Sequence, residues 1–343
     1  MKISAAVLEQ TNQPLVIHHD IEVPILKSGQ LLVKLRYAGV CHSQLMETRG
    51  KRGEDKYLPH FLGHEGVGDV VKVANDVGKV NSGDSVVLGW IKGQGLDAGG
   101  CEYVQGNRLI NSGAVTTFST YAVVSENRVV KLPEGITPKT AVLLGCALPT
   151  GAGIVINQLQ PKTDSTVGVY GLGGIGLSAL LAMNHFKPQA IVAFDVEDSK
   201  LKLAKELGAT HCYSVNEAGI SQFKQDFPLG LDNIIEAAGK TSTIEMAFSL
   251  IKRGGGRCIF ASHPPAGEMI KLDPFELICG KSIEGSWGGA TQPDHDLPLI
   301  VDIINKYRLP VEKLLSNEYS LEEINQALDD LEQRKITRAL IKF

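Results

Sequence analysis

Over residues 1 to about 135 the apolar positions come in short runs rich in Val and Leu. "QLLVKLRYAGV" (30–40), "GVGDVVKVA" (66–74) and "GDSVVLGW" (83–90) are bounded by Gly, Asn and Ser, the pattern of strands closed by turns. "STYAVVSENRVVKLP" (119–133) reads as a further strand pair with a polar turn, and no long helical period occurs in this half. From about Thr163 the pattern becomes strands alternating with helices. "STVGVYG" (165–171) predicts a buried strand, "IGLSALLAMNHF" (175–186) a helix, "QAIVAFD" (189–195) a strand, and "DSKLKLAKELG" (198–208) an amphipathic helix closed by Gly208. "LDNIIEAAG" (231–239), a helix from about Ser242 to Lys252, and "GGRCIFAS" (255–262) continue the series. "KSIEGSWGG" (281–289) is read as the sixth strand of a six-stranded parallel sheet. Beyond it lie a helix around 296–307, a helix opened by the capping box "SLEE" (320–323), and an extended "TRALIKF" (337–343).

A chain of 343 residues exceeds one hydrophobic core, so two domains are expected. With 43% hydrophobic and 21% charged residues, a wholly disordered chain is excluded. The net charge of −4 and the absence of a basic run leave no footprint for nucleic acid or an anionic membrane. The six cysteines are scattered, which suits a reduced compartment better than a disulfide scaffold. The opening "MKISAAVLEQ" lacks a signal-peptide core, so a cytoplasmic protein is expected. The longest uncharged stretch, Thr140 to Pro161, is broken by Pro149, three glycines and Asn157, and reads as a buried segment at a domain junction rather than a membrane span.

Two patterns carry candidate chemistry. "GLGGIG" (171–176) sits between a predicted strand and a predicted helix. There Gly171 permits a tight turn, Gly173 lets a pyrophosphate approach the backbone, and Gly176 lets helix and strand pack closely. Asp195 ends the next strand, where a carboxylate accepts ribose hydroxyls and repels a 2′-phosphate, so NAD is expected over NADP. Separately, Cys41, His64 and Cys146 each lie beside glycines and together form a Cys₂His set, a three-ligand zinc arrangement with the fourth position open.

With "GVCHS", "GHEGVGDVV", "GCALPTGAG", "GLGGIGLS" and the terminal "RALIKF", the sequence resembles, over its whole length, the zinc-dependent medium-chain dehydrogenase/reductase family of the alcohol dehydrogenase type. The resemblance implies a β-rich GroES-like catalytic domain (1–147 and 287–343) and a doubly wound, parallel-sheet Rossmann domain (148–286) that binds NAD. It implies one catalytic zinc on Cys41, His64 and Cys146, with Glu65 behind the metal and able to enter its shell during ligand exchange. Ser43 would bond the substrate oxygen and pass on its proton. Thr150 and Ile175 would press on the nicotinamide. Gly171, Gly173, Gly174 and Gly176 would hold the diphosphate, His42 and Arg338 would neutralise it, and Lys200 would lie near the adenosine ribose. Trp90, His263 and Trp287 would line the substrate pocket.

Three departures stand out. Residues 91–115 carry only Cys101 where many relatives hold a second zinc on four cysteines, so a glycine-rich loop without structural zinc is expected. Met46 occupies the position of the usual proton-relay histidine, and Gln44 replaces a carboxylate that often orients the zinc-bound histidine. The expected activity is hydride transfer between an alcohol, aldehyde or ketone and NAD(H), in a homodimer or homotetramer. The alternatives are a polyol or sugar-alcohol dehydrogenase of the same family, and a non-catalytic NAD(H)-binding sensor or structural protein.

Overall fold

The computed structural model describes residues 1–343, which form two compact units. One comprises Met1–Cys146, Gln292–Val301 and Val311–Phe343; the other comprises Ala147–Thr291 and Asp302–Pro310.

The first unit is built on strands, as the short Val/Leu runs require. Strands Lys2–Leu8, Val16–Glu22, Cys101–Gln105, Arg108–Ser112 and His60–Phe61 close into a barrel. Its interior is filled by Ile3, Val7, Ile21, Phe61, Tyr103 and Ile110. Tyr103 is fully buried, stacks on Phe61 with ring centroids 4.5 Å apart, and takes the Val123 N–H on its hydroxyl at 2.7 Å. A second sheet is centred on the long strand Gln30–Val40. That strand pairs antiparallel with Gly66–Val73, Tyr121–Ser125 and Ala339–Lys342. The C-terminal strand therefore hydrogen-bonds to the strand that ends just before Cys41.

Two readings of this unit need correction. Residues 91–115 do not form a plain loop: they contain the hairpin Cys101–Gln105/Arg108–Ser112, which completes the barrel. Cys101 packs among the barrel's apolar side chains, and burial pushes its thiol up to about 11. Residues 119–133 do give two strands joined by a polar turn, but the strands do not pair with each other. Tyr121–Ser125 joins Gln30–Val40, whereas Val129–Lys131 joins Ser85–Leu88.

The second unit holds a six-stranded, all-parallel sheet. Its order is His211–Ser214, Ala190–Asp195, Thr166–Tyr170, Asn233–Glu236, Arg257–Phe260, Ser282–Gly285. The chain starts in the middle and runs outward in both directions, so the topology switches between Thr166–Tyr170 and Asn233–Glu236, where such sheets bind ligands. Five of the six strands coincide with the apolar runs. The sixth, His211–Ser214, and helix Glu217–Asp226 after it carry too few apolar residues to stand out. No single helix is long and apolar enough to cross a membrane; the uncharged stretch folds as a pair, Pro138–Gly145 and Ala147–Leu159, bent by 57°.

Candidate metal centre and dinucleotide site

The candidate metal-ligating set, Cys41, His64 and Cys146, assembles from three places in the first unit. Cys41 follows strand Gln30–Val40 and caps the short helix His42–Thr48. His64 lies in the turn between His60–Phe61 and Gly66–Val73. Cys146 follows the 3-10 turn Val142–Gly145. One ligand atom from each lies within 4.8 Å of the others, and the two sulfurs are 3.9 Å apart. His64 Nε2 is buried and has no hydrogen-bond partner, which is costly unless a ligand meets that nitrogen. Two thiols and an imidazole suit zinc, so the donor set fits that ion.

Behind the ligands, Glu65 is fully buried against Arg338, whose Nη1 donates to Glu65 Oε1 and whose Nη2 lies 3.9 Å from Cys41 Sγ. Burial pushes the Glu65 carboxyl up to about 7, against the pull of the Arg338 charge. Burial opposes the Arg338 charge, but Glu65 and the two thiols hold its proton more firmly than usual. The Cys41 thiol is drawn well below its ordinary range by its contact with Cys146, helped by Arg338 and His64, while Cys146 is pushed up. Glycines make room for this arrangement: a Cβ on Gly39 would meet Glu65 Cδ at 2.6 Å, and one on Gly145 would meet Leu88 O at 2.4 Å. Arg338, the residue expected to neutralise a diphosphate, is 4% exposed, with Nη1 on Glu65 and Nη2 near Cys41.

Gln44 and Ser43 face the same histidine. Gln44 Oε1 accepts the Cys41 N–H at 3.0 Å, and its Nε2 donates to His64 Nδ1. Ser43 Oγ stands 3.5 Å from that Nδ1. His42 is exposed at the start of the same helix. A second cluster, Glu47, Asp55 and His60, also brings ligand atoms within 4.8 Å. There both ring nitrogens are engaged, Nδ1 with Phe61 O at 2.9 Å and Nε2 with Asp55 Oδ2 at 2.8 Å.

In the second unit the glycine loop joins strand Thr166–Tyr170 to helix Gly174–Phe186. Gly171 has φ 91°, and a Cβ on Gly176 would overlap Gly171 O at 1.9 Å, so neither position admits a side chain. A Cβ on Gly173 would meet nothing within 4 Å: the backbone there faces open space beside a helix N-terminus that has no side-chain cap. Gly174 and Ile175 form the first turn. Asp195 accepts the Leu172 N–H on Oδ2 at 2.7 Å and the Glu197 N–H on Oδ1 at 3.0 Å, which ties the second strand to the loop. Lys200 Nζ bonds Glu197 Oε1 at 3.0 Å. Thr150 Oγ1 is buried without a partner. The residues expected to line a substrate pocket are distributed: Trp90 is half-buried in the first unit, and His263 and the 81% exposed Trp287 lie in the second.

Comparison with known proteins resolves what this combination is. Residues 27–134 match the alcohol dehydrogenase GroES-like domain, and residues 174–306 match the zinc-binding dehydrogenase domain. An S-(hydroxymethyl)glutathione dehydrogenase of Escherichia coli strain SMS-3-5 is 30% identical over the full length of both chains. The chain belongs to the zinc-dependent alcohol dehydrogenase family. The Haemophilus influenzae S-(hydroxymethyl)glutathione dehydrogenase is 29% identical over 100% of this chain and 98% of its own. Among solved structures, an alcohol dehydrogenase zinc-binding domain protein from Burkholderia ambifaria superposes with a TM-score of 0.91 at 27% identity, covering 100% of this chain and 99% of the other. Benzyl alcohol dehydrogenase from Acinetobacter calcoaceticus gives 0.89 at 27% identity, with the same coverage. This family member is therefore an oxidoreductase of alcohols and their carbonyl counterparts, working with zinc and NAD(H). Neither the polyol reading nor the non-catalytic one is favoured.

Proposed function

We propose that the enzyme interconverts an alcohol and its aldehyde or ketone with NAD(H), using one zinc per chain held by Cys41, His64 and Cys146. The observation that carries this reading is the convergence of three soft or borderline donors within 4.8 Å around a buried, unpartnered His64 Nε2. Zinc bound there supplies Lewis acidity, which eases loss of the alcohol proton. Two thiolates offset the charge of the dication, and Glu65 and Arg338 offset each other, so the loaded centre is close to neutral. Ser43 is the hydroxyl that bonds the substrate oxygen and takes its proton onward. Met46 cannot continue that relay, so the proton leaves from Ser43 by water or by His42 at the exposed start of the helix.

For the dinucleotide, the open backbone at Gly173 and the free N–H groups of the following turn receive the diphosphate. Each Asp195 oxygen uses one lone pair on a backbone N–H and keeps another for a ribose hydroxyl. Its charge opposes a 2′-phosphate, so NAD is the preferred form. The buried Thr150 hydroxyl and Ile175 would bear on the nicotinamide, whose chemistry would supply the hydride transfer. The catalytic domain comprises 1–147 with 287–343 and the nucleotide domain 148–286, and no second, structural zinc is present.

Zinc counted in the pure protein, together with a screen of alcohols and aldehydes followed by NADH absorbance, tests the reading. One zinc per chain and turnover with NAD(H) are expected. Two per chain, or preference for NADPH, would sink the corresponding part.

A further inference from the structure

The Gln44 amide faces two groups of the metal centre at once, and they make opposite demands. The Cys41 N–H can only donate, so its 3.0 Å contact assigns the oxygen end of the amide to that side. The nitrogen end then faces His64 Nδ1. An amide nitrogen has no lone pair to offer, so Nδ1 must be the acceptor in that pair. The proton of the neutral ring is left on Nε2, the buried nitrogen without a partner. A nitrogen that carries a proton cannot ligate a metal.

We propose that Gln44 is a positioning residue that holds the metal-free centre in the non-ligating histidine tautomer, so that zinc binds more weakly and leaves faster than it would with a carboxylate at this position. The inference rests on the reading that Cys41, His64 and Cys146 hold zinc. To ligate through Nε2, the ring must carry its proton on Nδ1 instead; it stays neutral, and the proton is exchanged through water. Nδ1–H then needs an acceptor. Gln44 supplies one only by turning its amide over, which takes the oxygen from the Cys41 N–H and sets an NH₂ against it. Ser43 Oγ, at 3.5 Å, is too distant to be an equal substitute. A carboxylate of the same length has an acceptor oxygen for each N–H and also suits the first turn of a helix.

The test pairs zinc affinity with a direct reading of the tautomer, using the full chain and Gln44→Glu. Competition with a chromophoric chelator should show Gln44→Glu holding zinc about tenfold or more tightly, with slower release. Long-range ¹H–¹⁵N correlation spectra should place the His64 proton on Nε2 in the metal-free parent, and on Nδ1 in metal-free Gln44→Glu and in both zinc-loaded proteins. Measurable but equal zinc affinity in the two proteins overturns the inference and leaves the zinc reading standing. Zinc binding by neither protein overturns both. A proton on Nδ1 in the metal-free parent overturns the inference even if the variant fails to fold.

Discussion

Cys146 illustrates what a single residue can mean. By type it is a small buried apolar side chain, and at 5% exposure it looks the part. Its sulfur, however, lies 3.9 Å from that of Cys41, a residue 105 positions away. Cys146→Ser replaces a soft thiolate by a hard, weakly acidic hydroxyl. Elemental analysis should find zinc lost, turnover should vanish, and NADH fluorescence titration should be unchanged. A variant with full zinc and normal turnover would return Cys146 to ordinary packing. Asp195 is a second such residue. Asp195→Ala removes a charged acceptor, and losing a charged hydrogen bond costs about 1.5–3 kcal/mol, roughly ten- to a hundredfold in affinity. NADH should bind more weakly by that factor, and discrimination against NADPH should fall; an unchanged NADH/NADPH ratio would remove Asp195 from cofactor selection.

Elements divide into those with a strong period and those held in place by partners. The helix Gly174–Phe186 and the strands Thr166–Tyr170 and Ala190–Asp195 were legible because their apolar runs are long and the glycines between them are placed as the turn requires. The strand His211–Ser214 was not, because an edge strand covered by a short helix needs few apolar side chains. The helix Pro274–Ile278, only five residues long, depends on side-chain partners. Its Glu276 contacts Arg253 and the buried Lys281, whose hydrogen bonds hold the carboxyl down to about 2. A carboxyl held below its ordinary value near 4.5 stabilises the fold above that pH and loses the effect as pH falls towards 2. Urea midpoints of the parent and Glu276→Gln should therefore differ at pH 6, draw together below pH 4.5, and converge only as the pH falls through about 2. A gap that stays constant across that range would show that the ion pairs contribute nothing to stability.

At the scale of the whole molecule, the parallel sheet ends in the strand Ser282–Gly285, which is mostly exposed, and exposed Phe275 and Ile278 lie on the helix just before it. An open strand edge beside apolar side chains favours addition of another strand, and we propose that a second copy of this edge covers it. Ser282 N and Ser286 N bond inward to Gly256 O and Phe260 O, so the alternate N–H of Ile283 points outward. Ile283→Pro removes that outer donor and leaves the inner ladder intact. Sedimentation should show a smaller assembly for Ile283→Pro at micromolar concentration; an unchanged oligomer would place the interface elsewhere.

The amino-acid order by itself determined the kind of the strongly periodic elements, the glycine loop, the acidic residue that follows it and the donor types available for a metal. These are local properties: periodicity states which face of a segment is buried, and a glycine motif is read within one turn. Only the tertiary structure decided what each buried face meets. It paired the two strands of 119–133 with different neighbours and turned residues 101–112 into a barrel hairpin. It also set Arg338 on Glu65, and aimed Gln44 at both Cys41 and His64. Each of these depends on contacts between residues distant in sequence, whose partners are chosen by the packing of the whole chain, and no local pattern encodes that choice.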